Sequence, residues 1–174
     1  MKEHVAIAGG GIAGSALALL LDQAGISSAV YEAYPHADDI GGGLQIAPNG
    51  MRVLDRIGVA DQLLARGVAG EEFCFENQNG TVLARVGNGR ARKYGVPAVQ
   101  MSRSVLHKAL VEEVARRGIT ITYRKRLTEL SCHSDGVTAR FEDGTMAEGT
   151  ILVGADGLHS RTREILFPAG PRPF

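Results

Sequence analysis

Gly9, Gly11 and Gly14 stand in the G-x-G-x-x-G spacing, inside the stretch IAGGGIAGSALALLLDQAGISSAVYE. Each glycine has a separate physical task. Gly9 permits a tight turn from strand to helix. Gly11 lets the backbone come close to a pyrophosphate with no side chain in the way. Gly14 lets the helix lie close to the sheet. The helix start, with Ile12 and Ala13 in its first turn, offers unpaired N–H groups and a partial positive charge to phosphates. Glu32 closes the next apolar run and Ala33 follows it. A carboxylate at that place accepts hydrogen bonds from ribose hydroxyls. A glutamate, rather than a nearby arginine, favours a free ribose hydroxyl, hence FAD or NAD over NADP at this site. The motif alone is weak, and glycines that serve only a turn are the plain alternative. A strand before it, a helix after it and an acid at the second strand end together point to a dinucleotide.

The elements that must position these residues follow from the pattern around them. Residues 4–8 form a short apolar strand, and residues 12–24 are rich in Ala and Leu, good helix formers, with Gly25 as a C-terminal cap. Residues 28–32 read as a second strand, which completes a βαβ unit of a parallel sheet and sets the class as α/β. A looser, glycine-rich region follows. Residues 48–57 read as a helix with Pro48 in its first turn and Gly58 after it. Residues 73–76 and 81–86 pair as a hairpin across Asn77 to Gly80, because Asn-Gly is a strong turn signal. Residues 96–100 read as a strand. Residues 102–117 form a second long helix, capped by Ser102, with an apolar stripe of Val105, Leu106, Ala109, Leu110 and Val114. Residues 119–123 alternate as a strand does. Residues 127–133, 137–141 and 145–147 form a small antiparallel meander, and residues 151–153 a closing strand.

Composition narrows the function further. The chain has 174 residues, with 19 basic and 19 acidic side chains, so nothing in its charge favours nucleic acid or an anionic membrane surface. Its 23 glycines are about twice the usual ~7%. Cys74 and Cys132 sit in no metal or redox spacing and read as two small thiols in a reducing cytoplasm. His4, His36, His107, His133 and His159 show no metal spacing, so no metal is expected. Ser160 beside His159 is not a triad, and no catalytic nucleophile is evident. Glu3 and His4 interrupt a basic leader and the glycines break the first apolar run, so no signal peptide is expected. No stretch approaches a membrane span.

Three later segments come in order after the glycine fingerprint: GGGLQIAPNGMRVLDRIGV, VQMSRSVLHKALVEEV and ILVGADGLHSRTRE. Together they resemble the single-component FAD-dependent aromatic hydroxylases of the para-hydroxybenzoate hydroxylase type, from His4 to about Phe167. The resemblance implies that Asp156 and Gly157 form a "DG" motif near the FAD pyrophosphate and the path of the nicotinamide cofactor. It implies that Arg103 reaches the ribityl or pyrophosphate part and that Gln100 neighbours the same cofactor. It also places a backbone group of Leu127 at the adenine and the 41–49 loop beside the flavin ring. Local alternatives stay open: Arg103 as a surface cation, Asp156 as a cap of the turn after its strand, Arg161 and Arg163 as a solvated face or local ion pairs.

The resemblance further implies a reaction in which NAD(P)H reduces the flavin and oxygen is delivered to an electron-rich aromatic substrate. Family members are about twice this long. The expected organisation is therefore an incomplete FAD-binding domain from residues 1–70 and 101–170, a substrate-domain hairpin at 71–100, and a truncated linker at 171–174. The hairpin by itself would leave open edges and an apolar face. Three readings follow: a monooxygenase active only with a complementing C-terminal chain or a self-associated copy, a non-catalytic FAD-binding or regulatory module, and an NAD-dependent dehydrogenase.

Overall fold

The computed structural model describes residues 4–36, 41–88, 91–170 and 173. Strand β1 (His4–Ala8) leads into helix α1 (Ile12–Gln23) and β2 (Ser27–Tyr31). Then come β3 (Gly43–Ile46), α2 (Pro48–Ile57), α3 (Ala60–Arg66) and β4 (Val68–Gly70). Strands β5 (Glu72–Glu76) and β6 (Val82–Gly87), the short α4 (Ala91–Tyr94), β7 (Ala98–Ser102) and the long α5 (Arg103–Arg116) follow. The chain continues through β8 (Thr120–Thr122), β9 (Leu127–His133), β10 (Gly136–Phe141), β11 (Met146–Gly149), β12 (Ile151–Gly154) and α6 (Arg161–Leu166). It divides into two compact units, residues 1–38 with 110–174, and residues 39–109. Of the tail at 171–174, only Pro173 lies within the described residues.

The first unit is built on a parallel sheet in the order β12-β1-β2-β8. The two-residue period of its strands sorts the side chains between two faces. Val5 and Ile7 of β1 join Val30 of β2 and Ala18 of α1 in one buried cluster. Ala8, Tyr31 and Leu152 turn to the other face and meet Leu127, Ala139, Phe141 and Ala147 of the antiparallel meander β11-β10-β9. Helix α1 thus covers one face and the meander the other. Each fully buried side chain of the size of Ile7 or Val30 contributes about 1.5–3 kcal/mol. A polar clip ties the end of α5 to α1. The buried Glu113 carboxylate accepts from Arg116 Nε at 2.6 Å and Arg117 Nε at 2.7 Å, and Arg117 also pairs with Asp22 at 3.3 Å. The Arg116 hydrogen bond leads in holding the Glu113 carboxyl below its ordinary range, against the opposing effect of burial.

The second unit holds an antiparallel sheet in the order β3-β7-β4, with α2 and α3 packed on β7. Met51, Leu54, Ile57, Leu63, Val99 and Met101 are buried there. Strands β5 and β6 form a separate two-stranded sheet whose residues are all exposed. Phe73 faces Val86 and Phe75 faces Ala84 across it, so one side is an apolar strip. Its turn is held by Asn77, whose Oδ1 accepts from the N–H groups of Asn79 at 2.9 Å and Thr81 at 3.0 Å.

The α/β class, the βαβ unit, both long helices, the hairpin and the meander agree with the sequence reading. Strand β7 lies two residues later than expected, at Ala98–Ser102, because Pro97 has no N–H to give a ladder and the strand starts after it. Strands β3 and β4 and helices α3, α4 and α6 are additional. All five are seven residues or shorter, too short to show a period.

Candidate functional site

The three motif glycines are put to different uses. Gly9 has φ +106° and donates its N–H to the Tyr31 carbonyl at 2.8 Å. A methyl group there would lie 2.5 Å from the Ala155 carbonyl oxygen and 2.8 Å from the Asp156 nitrogen. A methyl group on Gly14 would overlap the Gly9 carbonyl oxygen outright and sit 3.3 Å from Ile7 Cγ2. Both positions are closed by backbone, so packing alone excludes a side chain. At Gly11 an added Cβ meets nothing within 4 Å. Gly11 is also the N-cap of α1, and that helix has no side-chain cap and no acid in its first turn. The first-turn amides of Ile12, Ala13 and Gly14 therefore belong to a positive, uncapped helix end. Ser15, buried, steadies the turn by donating to the Gly10 carbonyl at 3.1 Å.

Glu32 is held over this loop by the chain itself. Its Oε2 accepts the Gly10 N–H at 2.6 Å and its Oε1 accepts the Tyr34 N–H at 2.9 Å. A carboxylate offers about four lone-pair sites, so both oxygens can accept further bonds. Its backbone is fixed as well, with its N–H on the Thr122 carbonyl at 2.9 Å and its carbonyl accepting from Lys125 at 2.8 Å. Ala33 follows, partly buried. Sequence reasoning overlooked Gly10; its signal is its place between Gly9 and Gly11, where a backbone N–H can reach an acid on the neighbouring strand.

The third segment meets the same loop. Ala155 donates its N–H to the Ala8 carbonyl at 2.7 Å, which brings the Ala155–Asp156 peptide against Gly9. The Asp156 side chain turns to α6. Its Oδ1 accepts from Ser160 Oγ at 2.6 Å, and its Oδ2 accepts from Thr162 N–H at 2.8 Å and Thr162 Oγ1 at 3.0 Å. Burial pushes this carboxyl up, but the bonds from Ser160 and Thr162 outweigh it and leave it below the ordinary range. Ser160 caps α6 by accepting the Arg163 N–H at 3.0 Å. Gly157 completes the turn with φ +79°. Arg161 pairs with Glu164 at 3.1 Å and Arg163 donates to the Leu158 carbonyl at 2.7 Å, both local contacts. The Leu127 side chain is buried in the meander cluster, and its backbone lies in the β9–β10 ladder opposite Phe141.

The remaining candidates, Gln100 and Arg103, belong to the second unit. Ser102 caps α5, its Oγ accepting the Val105 N–H at 3.3 Å. Arg103, the first residue of α5, donates its N–H to the Gly42 carbonyl at 3.0 Å. Its side chain lies along Gly41, where a methyl group would stand 2.9 Å from Arg103 Cδ. Gln100 is exposed at the middle of β7, opposite Gln45 on one side and Val68 on the other.

Among the described residues no group of three or more His, Cys, Asp or Glu side chains is placed to hold a metal ion. His4 bonds to Ser27 Oγ at 3.0 Å and His133 to Thr138 Oγ1 at 3.4 Å. Among the described residues no helix is long and apolar enough to cross a membrane. A pyrophosphate requires close backbone, open amides and no nearby acid in the first turn. The start of α1 meets all three conditions, and Glu32 stands where a ribose can be read.

Comparison with known proteins agrees with this geometry. The chain is 38% identical over 174 residues to a 3-amino-4-hydroxybenzoate 2-monooxygenase of Streptomyces platensis, covering 98% of this chain and 43% of the relative. It is 36% identical to the 6-hydroxynicotinate 3-monooxygenase of Pseudomonas fluorescens, covering 98% of this chain and 45% of that protein. The chain thus spans less than half the length of these curated relatives. The structure of Klebsiella pneumoniae HpxO complexed with FAD and uric acid superposes with a TM-score of 0.81 at 27% identity, over 93% of this chain and 41% of the other. The tetrameric form of 2-methyl-3-hydroxypyridine-5-carboxylic acid oxygenase gives 0.79 at 26% identity, over 95% and 42%. The family model described as the FAD binding domain matches residues 2–167, and the chain belongs to that family.

Proposed function

We propose that this chain supplies the FAD-binding portion of a flavin-dependent monooxygenase that hydroxylates a small, electron-rich aromatic compound with NAD(P)H and O2. The observation that carries the reading is the division of labour at the glycine loop, where Gly9 and Gly14 are closed by backbone while Gly11 is open beside an uncapped helix start. The monooxygenase chemistry is supported by the relatives, named as monooxygenases of an aminohydroxybenzoate and a hydroxynicotinate. In this reading the amides after Gly11, with Ile12 and Ala13, take the pyrophosphate, and Glu32 with Ala33 takes a ribose. The Leu127 backbone meets the adenine, and the backbone at Asp156 and Gly157 lies beside the phosphates. Gln100 and Arg103 act on the ribityl or pyrophosphate part. FAD, when bound, supplies the redox chemistry, and the protein's share is to bind, orient and exclude water. No side chain here is assigned a proton transfer.

A second reading is an FAD-binding module without turnover that docks a partner on the β5–β6 sheet, whose apolar strip is exposed at Phe75 (52%) and Val86 (50%). A complementing chain, or a second copy that covers this strip, and a cytoplasmic setting with NAD(P)H complete the proposal. Membership of the FAD binding domain family weighs against an NAD-dependent dehydrogenase. The test loads the chain with FAD and follows NADH and NADPH oxidation in air, with and without 3-amino-4-hydroxybenzoate. The expected result is a yellow protein without substrate-dependent oxidation, which gains it when a chain supplying the rest of a relative is added. A protein that cannot be loaded with FAD contradicts the reading, and efficient hydroxylation by this chain alone contradicts the need for a complement.

A further inference from the structure

The sheet β3-β7-β4 buries one face under α2 and α3 and presents amides on the other. Gln45 of β3 stands opposite Gln100 of β7, and Gln100 opposite Val68 of β4. Asn88, just past β6, joins them and is only 4% exposed. Its Nδ2 donates to the Gly70 carbonyl oxygen at 3.2 Å, and its Oδ1 accepts from Gln45 Nε2. The polarity of this chain of bonds is set from one end, because a backbone carbonyl can only accept. Asn88 must turn its NH2 to Gly70. Its oxygen then faces Gln45, which must answer with its own NH2. The Gln45 Oε1 is left over, and no donor among the described residues meets it.

The buried Asn88 amide thus fixes which end of the partly buried Gln45 amide is left as an acceptor. Gln45, Asn88 and Gln100 are all neutral, so they do not select a carboxylate or a phosphate. They suit the edge of a neutral ring that carries a donor. We propose that Gln45 is a recognition residue whose Oε1 accepts a hydrogen bond from an O–H or N–H on the rim of a planar aromatic ligand, with Asn88 as its positioning residue. This inference rests on the hydroxylase reading above. In that reading two ligands carry such a donor, the hydroxylated or aminated substrate and the imide N–H of the flavin ring.

The test measures binding of two ligand pairs to the wild-type chain and to Gln45→Met. One pair is FAD and FAD methylated at the flavin imide nitrogen. The other is 4-hydroxybenzoate and 4-methoxybenzoate. The side-chain amide NMR signals of Gln45 and Asn88 provide a second readout. Wild type is expected to prefer the donor-bearing member of one pair by about five- to tenfold, the size of one neutral hydrogen bond. That ligand also moves the Gln45 signals, and Gln45→Met brings the ratio to about one. A preference in the FAD pair assigns the flavin, and one in the benzoate pair assigns the substrate. Asn88→Ala frees the Gln45 amide to rotate and lowers the ratio without weakening the methylated ligand; should it not fold, Gln45→Met on the open face decides. Equal binding within both pairs, a preference that survives Gln45→Met, or Gln45 signals moved by none of the four ligands overturns the proposal. Failure of the hydroxylase reading itself shows elsewhere, as FAD that leaves the Gly9 and Gly11 backbone amide signals in place.

Discussion

Alanine at Gly11 and alanine at Gly14 should have opposite consequences. At Gly14 the added methyl overlaps the Gly9 carbonyl oxygen and lies 3.1 Å from its carbon, so α1 has to move away from the loop. The obstacle is backbone and cannot rotate aside. Overpacking of this kind costs about 1–3 kcal/mol, and the upper part of that range applies. Alanine regains up to about 1 kcal/mol of helix propensity, so the net loss is about 2 kcal/mol. For a chain of this length that lowers Tm by about 4–8 °C. At Gly11 the methyl meets no protein atom within 4 Å. A small loss at the N-cap and a small gain from a stiffer unfolded chain nearly cancel, leaving a change within about 0.5 kcal/mol. The methyl does occupy the approach of a pyrophosphate, and FAD affinity should fall at least about tenfold, or ~1.4 kcal/mol. Thermal melts followed by circular dichroism and titration by flavin fluorescence check both halves. A Gly11→Ala protein that melts as early as Gly14→Ala, or that binds FAD as wild type does, refutes the assignment of separate tasks.

Three other outcomes are expected. Asp156→Ala removes the acceptor of three bonds at α6 and should cost about 1–2 kcal/mol. Because the fold holds the Asp156 carboxyl below its ordinary range, its contribution is complete above about pH 4 and is lost as pH falls through the folded value, so urea titrations of Asp156→Asn should show a flatter acid limb. Asp143, bonded by Lys125 Nζ at 2.5 Å and by Thr145, should titrate at about 2 by carboxyl-carbon NMR, and Lys125→Met should return it toward ~3.9. Phe73→Ser with Phe75→Ser should abolish a concentration-dependent self-association of the wild-type chain in sedimentation; a wild-type chain that stays monodisperse and monomeric contradicts a second copy as the cover of that strip.

The parts of the fold with a long period were legible in the amino-acid order. Helix α1 is announced by its Ala-Leu run and α5 by its apolar stripe and Ser102, whose Oγ does take the Val105 N–H. The meander was legible from the alternation of Val137, Ala139 and Phe141, all three buried. Strands β3 and β4 were not, because four and three residues cannot display alternation and β3 begins in a glycine run. At the site, the tasks of Gly9 and Gly14 follow from spacing, since that spacing carries a fixed geometry. What the motif does not reveal is the partner that closes Gly9. The Ala155–Asp156 peptide is far away in sequence and arrives only because β12 pairs with β1. That the Asp156 carboxylate serves the turn after its strand was legible as an alternative; its donors were not, because α6 is a single short helix whose Ser160 and Thr162 reach the carboxylate only once the turn is formed. Asn88 and Gln45 were invisible because their bond joins residues 43 positions apart.

The most direct measurement is a titration of the isotope-labelled chain with FAD and, separately, with NAD, following backbone amide signals. The expected result is saturable FAD binding that moves the signals of Gly9, Gly11, Ile12, Glu32 and Asp156 together, with NAD unable to displace it. Absence of FAD binding, or binding that leaves these five signals in place, would contradict the assignment of the glycine loop as a flavin dinucleotide site.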